Sequence, residues 1–182
     1  MKKNNLILKI TLSGMFLALG LLMPFLTGQI PEIGSMLCPM HIPVIICGFI
    51  CGWKFGLIVG LITPVLRSFT FGMPTIYPAA IAMALELGTY GLISGLGFAL
   101  CKKMNKNTII TNYIVLITSM LLGRTVWGIA RYLIALIDGT LVFTIELFIS
   151  GAFLTAWPGI VLQLVLIPIL ITSLTKIIKD TI

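Results

Sequence analysis

Apolar residues along the chain fall into six long segments, separated by short breaks that contain Pro, Gly or charged residues. The segments are residues 6–26, 41–52, 55–71, 78–100, 110–137 and 149–177. Most of them have about the length, roughly twenty residues, that a helix needs to cross a bilayer. We therefore predict an all-α integral membrane protein with six transmembrane helices, spans 1 to 6, in a single transmembrane domain at 1–182.

Two of these segments need separate treatment. The second has about 12 residues, or ~18 Å of helix, which is too short to cross a ~30 Å hydrocarbon core. We expect it to pack inside the bundle, next to a sharp turn at "CGWKFG". The first segment begins like a signal peptide, but it is long and no A-x-A-like site follows, so we expect a retained span.

Composition and charge agree with a membrane protein and indicate its orientation. The chain is 59% hydrophobic and 9% charged, which excludes an ordinary soluble domain. The lysines all lie at one set of span ends: Lys2, Lys3, Lys9, Lys54, Lys102, Lys103, Lys106, Lys176 and Lys179. By the positive-inside rule, both termini are predicted to lie in the cytoplasm. The protein itself is predicted to lie in the cell membrane. The net charge of +7 reflects these lysines and does not indicate a nucleic-acid partner.

The three arginines depart from this pattern, because each lies in the outward half of its span. Glu86 lies about 12 Å below the outer end of span 4, and Arg124 lies about 20 Å below that of span 5. Arg131 is two turns further out than Arg124 on the same helix face. Glu86 is thus predicted to meet one of these two arginines inside the bundle.

Such a pair has two interpretations. Intramembrane ionisable groups commonly mark substrate sites, but a buried pair can also be purely structural. Three arginines and one buried acid leave positive charge without a partner, and an anionic or carboxylate-bearing ligand would pair with it. Arg67 is expected to contact this ligand or to fasten the loop between spans 3 and 4. The alternative for Arg67 is that it reaches outward to lipid headgroups.

Further candidates for ligand contact lie in the outward loops and on the same helices. Tyr90 and Trp127 follow Glu86 and Arg124 by about one turn and are predicted to share their faces. The remaining candidates are Met36, His41, Tyr77, Trp157 and Gln163. Tyr77 has an alternative role as an anchor at headgroup depth.

Small residues recur every third or fourth position in several spans and indicate close helix packing. They include Gly48, Gly52, Gly56, Gly60, Gly88, Gly91 and Gly95. The stripe on span 4 is expected to pack internally, whereas those on spans 2 and 3 allow close approach of a helix of this chain or of another protein. Gly14 and Ala18 form a shorter pair on span 1, which is expected to face a partner subunit.

The sequence carries no recognisable catalytic or metal motif. The four cysteines have no standard zinc spacing and are expected to be buried as small apolar residues. No Walker lysine motif, H-E-x-x-H or G-x-S-x-G is present. We therefore expect no metal or other cofactor, and any ATP would be used by partner subunits.

The run "MHIPVIICGFICGWKFGLIVGLITPVLRSFTFGMPTIYPAAIAMALELGTYGLISGL" and the six-span pattern resemble a known family. The chain is similar to the substrate-binding S component of energy-coupling factor (ECF) transporters, the vitamin importers of prokaryotes. The resemblance covers nearly the whole chain and is most specific between residues 41 and 96. There it is similar to the pantothenate- and pyrimidine-type branch.

This resemblance implies a function and a set of partners. In the family, a pocket at the outer face captures a vitamin or vitamin precursor, and the S component topples in the membrane to deliver it. Helix 1 docks on the T subunit beside two ATPases. Gly14 and Ala18 stand where the family has an alanine pair, so the first position departs to glycine. The expected pocket residues are Arg67, Glu86, Tyr90, Arg124, Trp127 and Arg131.

Two other functions remain possible from the residues alone. One is a small intramembrane enzyme that uses Cys or His together with Glu86. The other is a self-contained channel or proton-coupled carrier, which would transport in liposomes without partner subunits.

Overall fold

The computed structural model describes residues 2–28, 30–103 and 109–181, and in these ranges the fold is helical without strands. The α-helices are α1 (Lys2–Leu22), α2 (Pro31–Leu37), α3 (His41–Cys51), α4 (Trp53–Phe71), α5 (Ile81–Lys103), α6 (Ile109–Asp138), α7 (Ile145–Ile149) and α8 (Trp157–Thr181). A 3₁₀ helix, Met23–Thr27, follows α1, and wide turns at Ile76–Ala80 and Ser150–Leu154 precede α5 and α8. Within these described ranges, six helical stretches are long and apolar enough to span a membrane, as predicted.

The second span was predicted to be too short to cross the membrane, and this prediction is wrong. Helix α2 continues the apolar run, so that the stretch Glu32–Cys51 is long enough to cross the membrane. The two helices join at Cys38, whose backbone is left-handed with φ of +47° and whose amide donates to the Gly34 carbonyl. Nearly all of α3 is buried, which confirms its predicted place inside the bundle.

The predicted sharp turn after α3 is also confirmed. It lies at Gly52, where φ is +96°. Residues other than glycine rarely adopt this backbone conformation, which explains the glycine at the junction of α3 and α4.

The sixth span begins later than predicted. Residues 145–154 form α7 and a wide turn, and the long helix α8 starts only at Trp157. Pro158 accounts for the break, since proline has no amide hydrogen to continue a preceding helix but suits a first helical turn. The Thr144 hydroxyl accepts a hydrogen bond from the Leu147 amide and caps α7.

Glycines bring α4 and α5 into backbone contact. A methyl group on Gly91 would overlap the backbone of Gly56, and one on Gly60 would overlap the Leu87 carbonyl. On α3, Gly48 packs in the same way against the Gly91 carbonyl. The prediction of internal packing for the stripe of span 4 is confirmed, and its contacts with Gly48, Gly56 and Gly60 make α3, α4 and α5 a tightly packed core.

The helices divide the molecule into two ends. The lysine end holds the start of α1, the Gly52 turn, the end of α5 and the end of α8. The cavity end holds residues 23–40, 72–80 and 138–156. Lys106 lies outside the described residues.

Candidate functional site

A cavity of about 580 Å³ lies at the cavity end of the bundle. Its walls come from the 3₁₀ helix after α1, from α2, from the loop between α4 and α5, and from α5, α6 and the turn before α8. Ile30 and Met73 line it and are also exposed, so the cavity opens to the surface there. Six of the predicted site residues line it: His41, Arg67, Glu86, Arg124, Trp127 and Arg131.

The cavity floor is built around the carboxylate of Glu86, which is 1% exposed. Its Oε1 lies 3.1 Å from Nη1 of Arg124 and accepts a 3.1 Å hydrogen bond from the Tyr90 hydroxyl. Tyr90 is one turn along α5 from Glu86, and Arg124 reaches in from α6. The predicted meeting of Glu86 with an arginine of span 5 is confirmed, and Arg124 is the arginine involved.

His41, the first residue of α3, completes this floor. Its Nε2 lies 3.3 Å from Glu86 Oε1, but without the angles of a hydrogen bond. Among the described residues, neither ring nitrogen of His41 has a hydrogen-bond partner, although the residue is 2% exposed. The ring packs at a tilt against Tyr90, with centroids 5.2 Å apart.

The junction of α2 and α3 is tied to the floor through Cys38. The Nη2 of Arg124 donates to the Cys38 sulfur at 3.3 Å, and Gln163 Nε2 on α8 donates weakly to the Cys38 carbonyl at 3.5 Å. Gln163 is buried behind the cavity and does not line it. Arg124 therefore connects three helical segments at one point.

Arg67 is buried and fastens the end of α1. Its Nη1 donates to the Leu21 carbonyl at 2.7 Å, and its guanidinium lies 5.3 Å from the ring centres of both Phe25 and Phe71. It does not reach outward to headgroups, since only 3% of the residue is exposed. The loop between α4 and α5 is instead held by Ser68, whose hydroxyl donates to the Pro74 carbonyl.

Trp127 and Arg131 form the wall nearer the mouth. The ring of Trp127 stacks on Phe148 with centroids 6.3 Å apart and meets Phe143 edge-on. The Arg131 guanidinium lies 5.7 Å from the Phe143 ring centre. Arg124 and Arg131 both line the cavity, which confirms that they share one face of α6.

Five of the eleven predicted residues do not line the cavity: Tyr90 and Gln163, which are buried, and Met36, Tyr77 and Trp157. Met36 and Tyr77 are exposed, and Trp157 is 62% exposed at the start of α8. The Tyr77 hydroxyl donates to the Asp138 carboxylate at 2.7 Å and so links two loops at the cavity end. A role in ligand binding stays a prediction for each of the predicted site residues.

The cavity also contains residues that the sequence analysis did not select. Met83 precedes Glu86 by three positions, and this helical spacing could have identified it. Met40 and Cys38 lie in the short segment between α2 and α3. The contact of Cys38 with Arg124 had no sequence signal, because it depends on the left-handed backbone at Cys38.

Three of the four cysteines show the predicted burial, and Cys101 does not. Cys38, Cys47 and Cys51 are buried and free, and Cys101 is half-buried. In the described ranges, no three His, Cys, Asp or Glu side chains are grouped so that they could hold a metal ion.

Comparison with known proteins identifies the family. Residues 8–179 match the family model described as "ECF transporter, substrate-specific component". No curated protein and no solved structure matches the chain. The branch within the family therefore remains a prediction.

Members of this family bind substrates for transport, catalyse no reaction and bind no cofactor themselves. The intramembrane-enzyme interpretation is thereby excluded. The family match covers nearly all of the chain, and the six apolar helices agree with it. The chain therefore belongs to the family of substrate-specific components of ECF transporters.

Proposed function

We propose that this chain captures a vitamin or vitamin precursor at the outer face of the cell membrane and delivers it inward together with a T subunit and two ATPases. The observation that carries the proposal is the cavity of about 580 Å³ at the end of the bundle opposite the lysines. A cavity of this volume suits a small organic molecule. The sequence has no nucleotide-binding motif, so energy must come from other subunits.

The charges around the cavity favour an anionic substrate. Arg67, Arg124 and Arg131 line it, whereas Glu86 is the one acidic residue among its described lining residues. Glu86 is occupied by Arg124, and Arg67 is held by Leu21 and two phenylalanine rings. Arg131 therefore has the most freedom to bind a carboxylate, and a planar guanidinium suits that geometry.

Orientation follows from the lysines. Because lysine is enriched in cytoplasmic segments of membrane proteins, the lysine end is proposed to face the cytoplasm, with both termini. The cavity end then faces outward, where a substrate for uptake would enter.

Helix α1 is the proposed docking surface for the T subunit. Gly14 and Ala18 are exposed on it, and a methyl group added to Gly14 would contact nothing within 4 Å. Large apolar residues around this pair, including Ile10 and Met15, are exposed as well. Small residues at such a position allow close approach of another transmembrane helix.

Reconstitution in liposomes tests the function. The probe is the compound released from the gently purified protein, identified by mass spectrometry and then radiolabelled. The chain alone should bind this compound without accumulating it, and accumulation should require the T subunit, the ATPases and ATP. Accumulation by the chain alone would overturn the proposal in favour of a stand-alone carrier.

The same experiment with Gly14→Trp tests the docking surface. The large ring should block close helix contact, so that partners no longer co-purify and accumulation stops, while binding of the compound is unchanged. Gly14→Ala is the matched control and should assemble normally. Co-purification of Gly14→Trp with the partners would show that α1 is not the docking face.

A further inference from the structure

The cavity floor contains buried polar atoms that lack partners. In the described part of the chain, these are Nδ1 of His41 and Nε of Arg124, whereas Nε2 of His41 lies 3.3 Å from Glu86 Oε1. Both residues line the cavity and are more than nine-tenths buried. A buried donor or acceptor without a partner destabilises the structure, so these atoms indicate that something binds against them.

The charge of the floor is already balanced. Glu86 pairs with Nη1 of Arg124, and Nη2 of the same guanidinium contacts the Cys38 sulfur. A second ion at this point would therefore lack a free counter-charge and would have to lose its hydration. The remaining atoms are the Nε–H donor of Arg124 and Nδ1 of His41, which accepts a hydrogen bond when a neutral imidazole carries its proton on Nε2, toward Glu86. A neutral group that both donates and accepts hydrogen bonds matches this set.

The available cation lies further out along the same helix. Arg131 is seven residues from Arg124 on α6, which corresponds to about 10 Å along the helix axis. Between Arg124 and Arg131 the cavity lining includes Trp127 on α6 and Met83 on the facing helix α5. An elongated molecule with an apolar middle fits between the floor and Arg131.

We propose that the substrate is a carboxylate with a hydroxyl or primary amide about 10 Å away, bound with its neutral end on His41 and Arg124 and its carboxylate at Arg131. This inference rests on the proposed substrate-binding function and adds the chemical class and the direction of binding. His41 is the residue that distinguishes such a molecule from an acid without the terminal polar group.

Calorimetric titration of the isolated chain with three eight-carbon acids tests the inference. The probes are ω-hydroxyoctanoate, its ω-amide analogue and octanoate, which differ only at the end opposite the carboxylate. The wild-type chain should bind the first two at least about ten-fold more tightly than octanoate, the effect of one strong hydrogen bond. Equal binding of the three, tighter binding of octanoate, or no binding at millimolar concentration would overturn the inference.

Variants of His41 and Arg131 test which residue causes the preference for the polar-ended acids. His41→Phe, which keeps an aromatic ring without a polar atom, should reduce the preference for the polar-ended acids to about one, and His41→Leu replaces it if that variant does not fold. Arg131→Gln should weaken the binding of all three acids about equally, by roughly ten-fold, and leave the preference for the polar-ended acids intact. A preference that is unchanged in a folded His41 variant, or abolished by Arg131→Gln, would also contradict the assignment.

This test can fail separately from the test of function, because it uses the chain without its partners. A clear preference in a chain that never assembles with a T subunit would keep the inference and remove the transport role. Assembly and ATP-dependent uptake together with no preference would remove only the inference.

Discussion

At the scale of single residues, each buried charge is compensated by a specific neighbour. Glu86 is held by Arg124 and Tyr90, and Arg67 by a carbonyl and two aromatic rings. Such compensation is necessary because an isolated charge within the membrane is costly. Helical spacing alone predicted that Glu86 meets an arginine of span 5. It could not choose between Arg124 and Arg131, because that choice depends on how far α5 and α6 slide along each other.

Replacement of Arg67 tests whether its geometry matters beyond its charge. Arg67→Lys keeps the charge but cannot place a planar group between Phe25 and Phe71 while it donates to Leu21. We expect the free energy of unfolding to fall by about 1–3 kcal/mol, seen as a decrease of several degrees in the thermal midpoint in detergent.

Arg131→Lys is the matched control for this substitution. Arg131 is only partly buried and contacts one ring, so its replacement should cost less than about 1 kcal/mol. If Arg67→Lys is as stable as the wild type, or if the two variants lose the same amount, the contacts of Arg67 do not stabilise the fold as described.

At the scale of helices, glycine sets the distance between the central elements. On α4 and α5 the glycines face each other and allow backbone contact, whereas Gly14 on α1 faces away from the rest of the chain. The repeat of small residues is visible in the sequence, but the direction in which each stripe faces is not. Only packing distinguishes an internal stripe from an exposed one, because both have the same spacing.

Alanine substitutions at two glycines test this distinction. In Gly91→Ala the methyl group would overlap the Gly56 backbone, which cannot move aside as a side chain can, so α4 and α5 must separate. We expect a loss of about 1–3 kcal/mol in the free energy of unfolding, the usual cost of overpacking. Thermal unfolding monitored by circular dichroism measures this loss.

Gly14→Ala serves as the control, because its methyl group enters open space and alanine favours a helix. It should leave stability unchanged or raise it slightly. A Gly91→Ala protein that unfolds at the same temperature as Gly14→Ala would contradict the backbone contact between α4 and α5.

At the scale of the whole molecule, lysines and the cavity occupy opposite ends. Lysines mark the ends of spans in the sequence, and the cavity forms where the connecting segments 23–40, 72–80 and 138–156 meet. Substrate entry and the lysine-bearing ends of the spans are therefore separated by the thickness of the bundle. This arrangement is the basis for the proposed outward opening.

Labelling of cysteines introduced at exposed positions tests the orientation, because Cys38, Cys47 and Cys51 are buried. In a Cys101→Ala background, Val142→Cys places a thiol at the cavity end and Lys102→Cys places one at the lysine end, both at exposed positions. A membrane-impermeant maleimide added to intact cells should label the first variant only. After permeabilisation both variants should be labelled, and the reverse pattern in intact cells would invert the proposed topology.

The sequence by itself determined the class of the protein, the number of spans and the close packing of glycine-rich helices. These features depend on local composition, periodicity and length, because a bilayer requires long apolar helices whatever their neighbours. The family resemblance was also present in the sequence, and the match over residues 8–179 confirms it.

Only the tertiary structure decided which side chains share the cavity. The sequence offers Trp127 as a better candidate than Tyr77 and also names Trp157. Of the three, only Trp127 lines the cavity, because the break before α8 and the loop between α4 and α5 turn the other two away. The unpartnered nitrogens of His41 likewise have no sequence signal. They arise because α3, α5 and α6 approach from different parts of the chain, and the distances among them are set by the packing of the whole bundle.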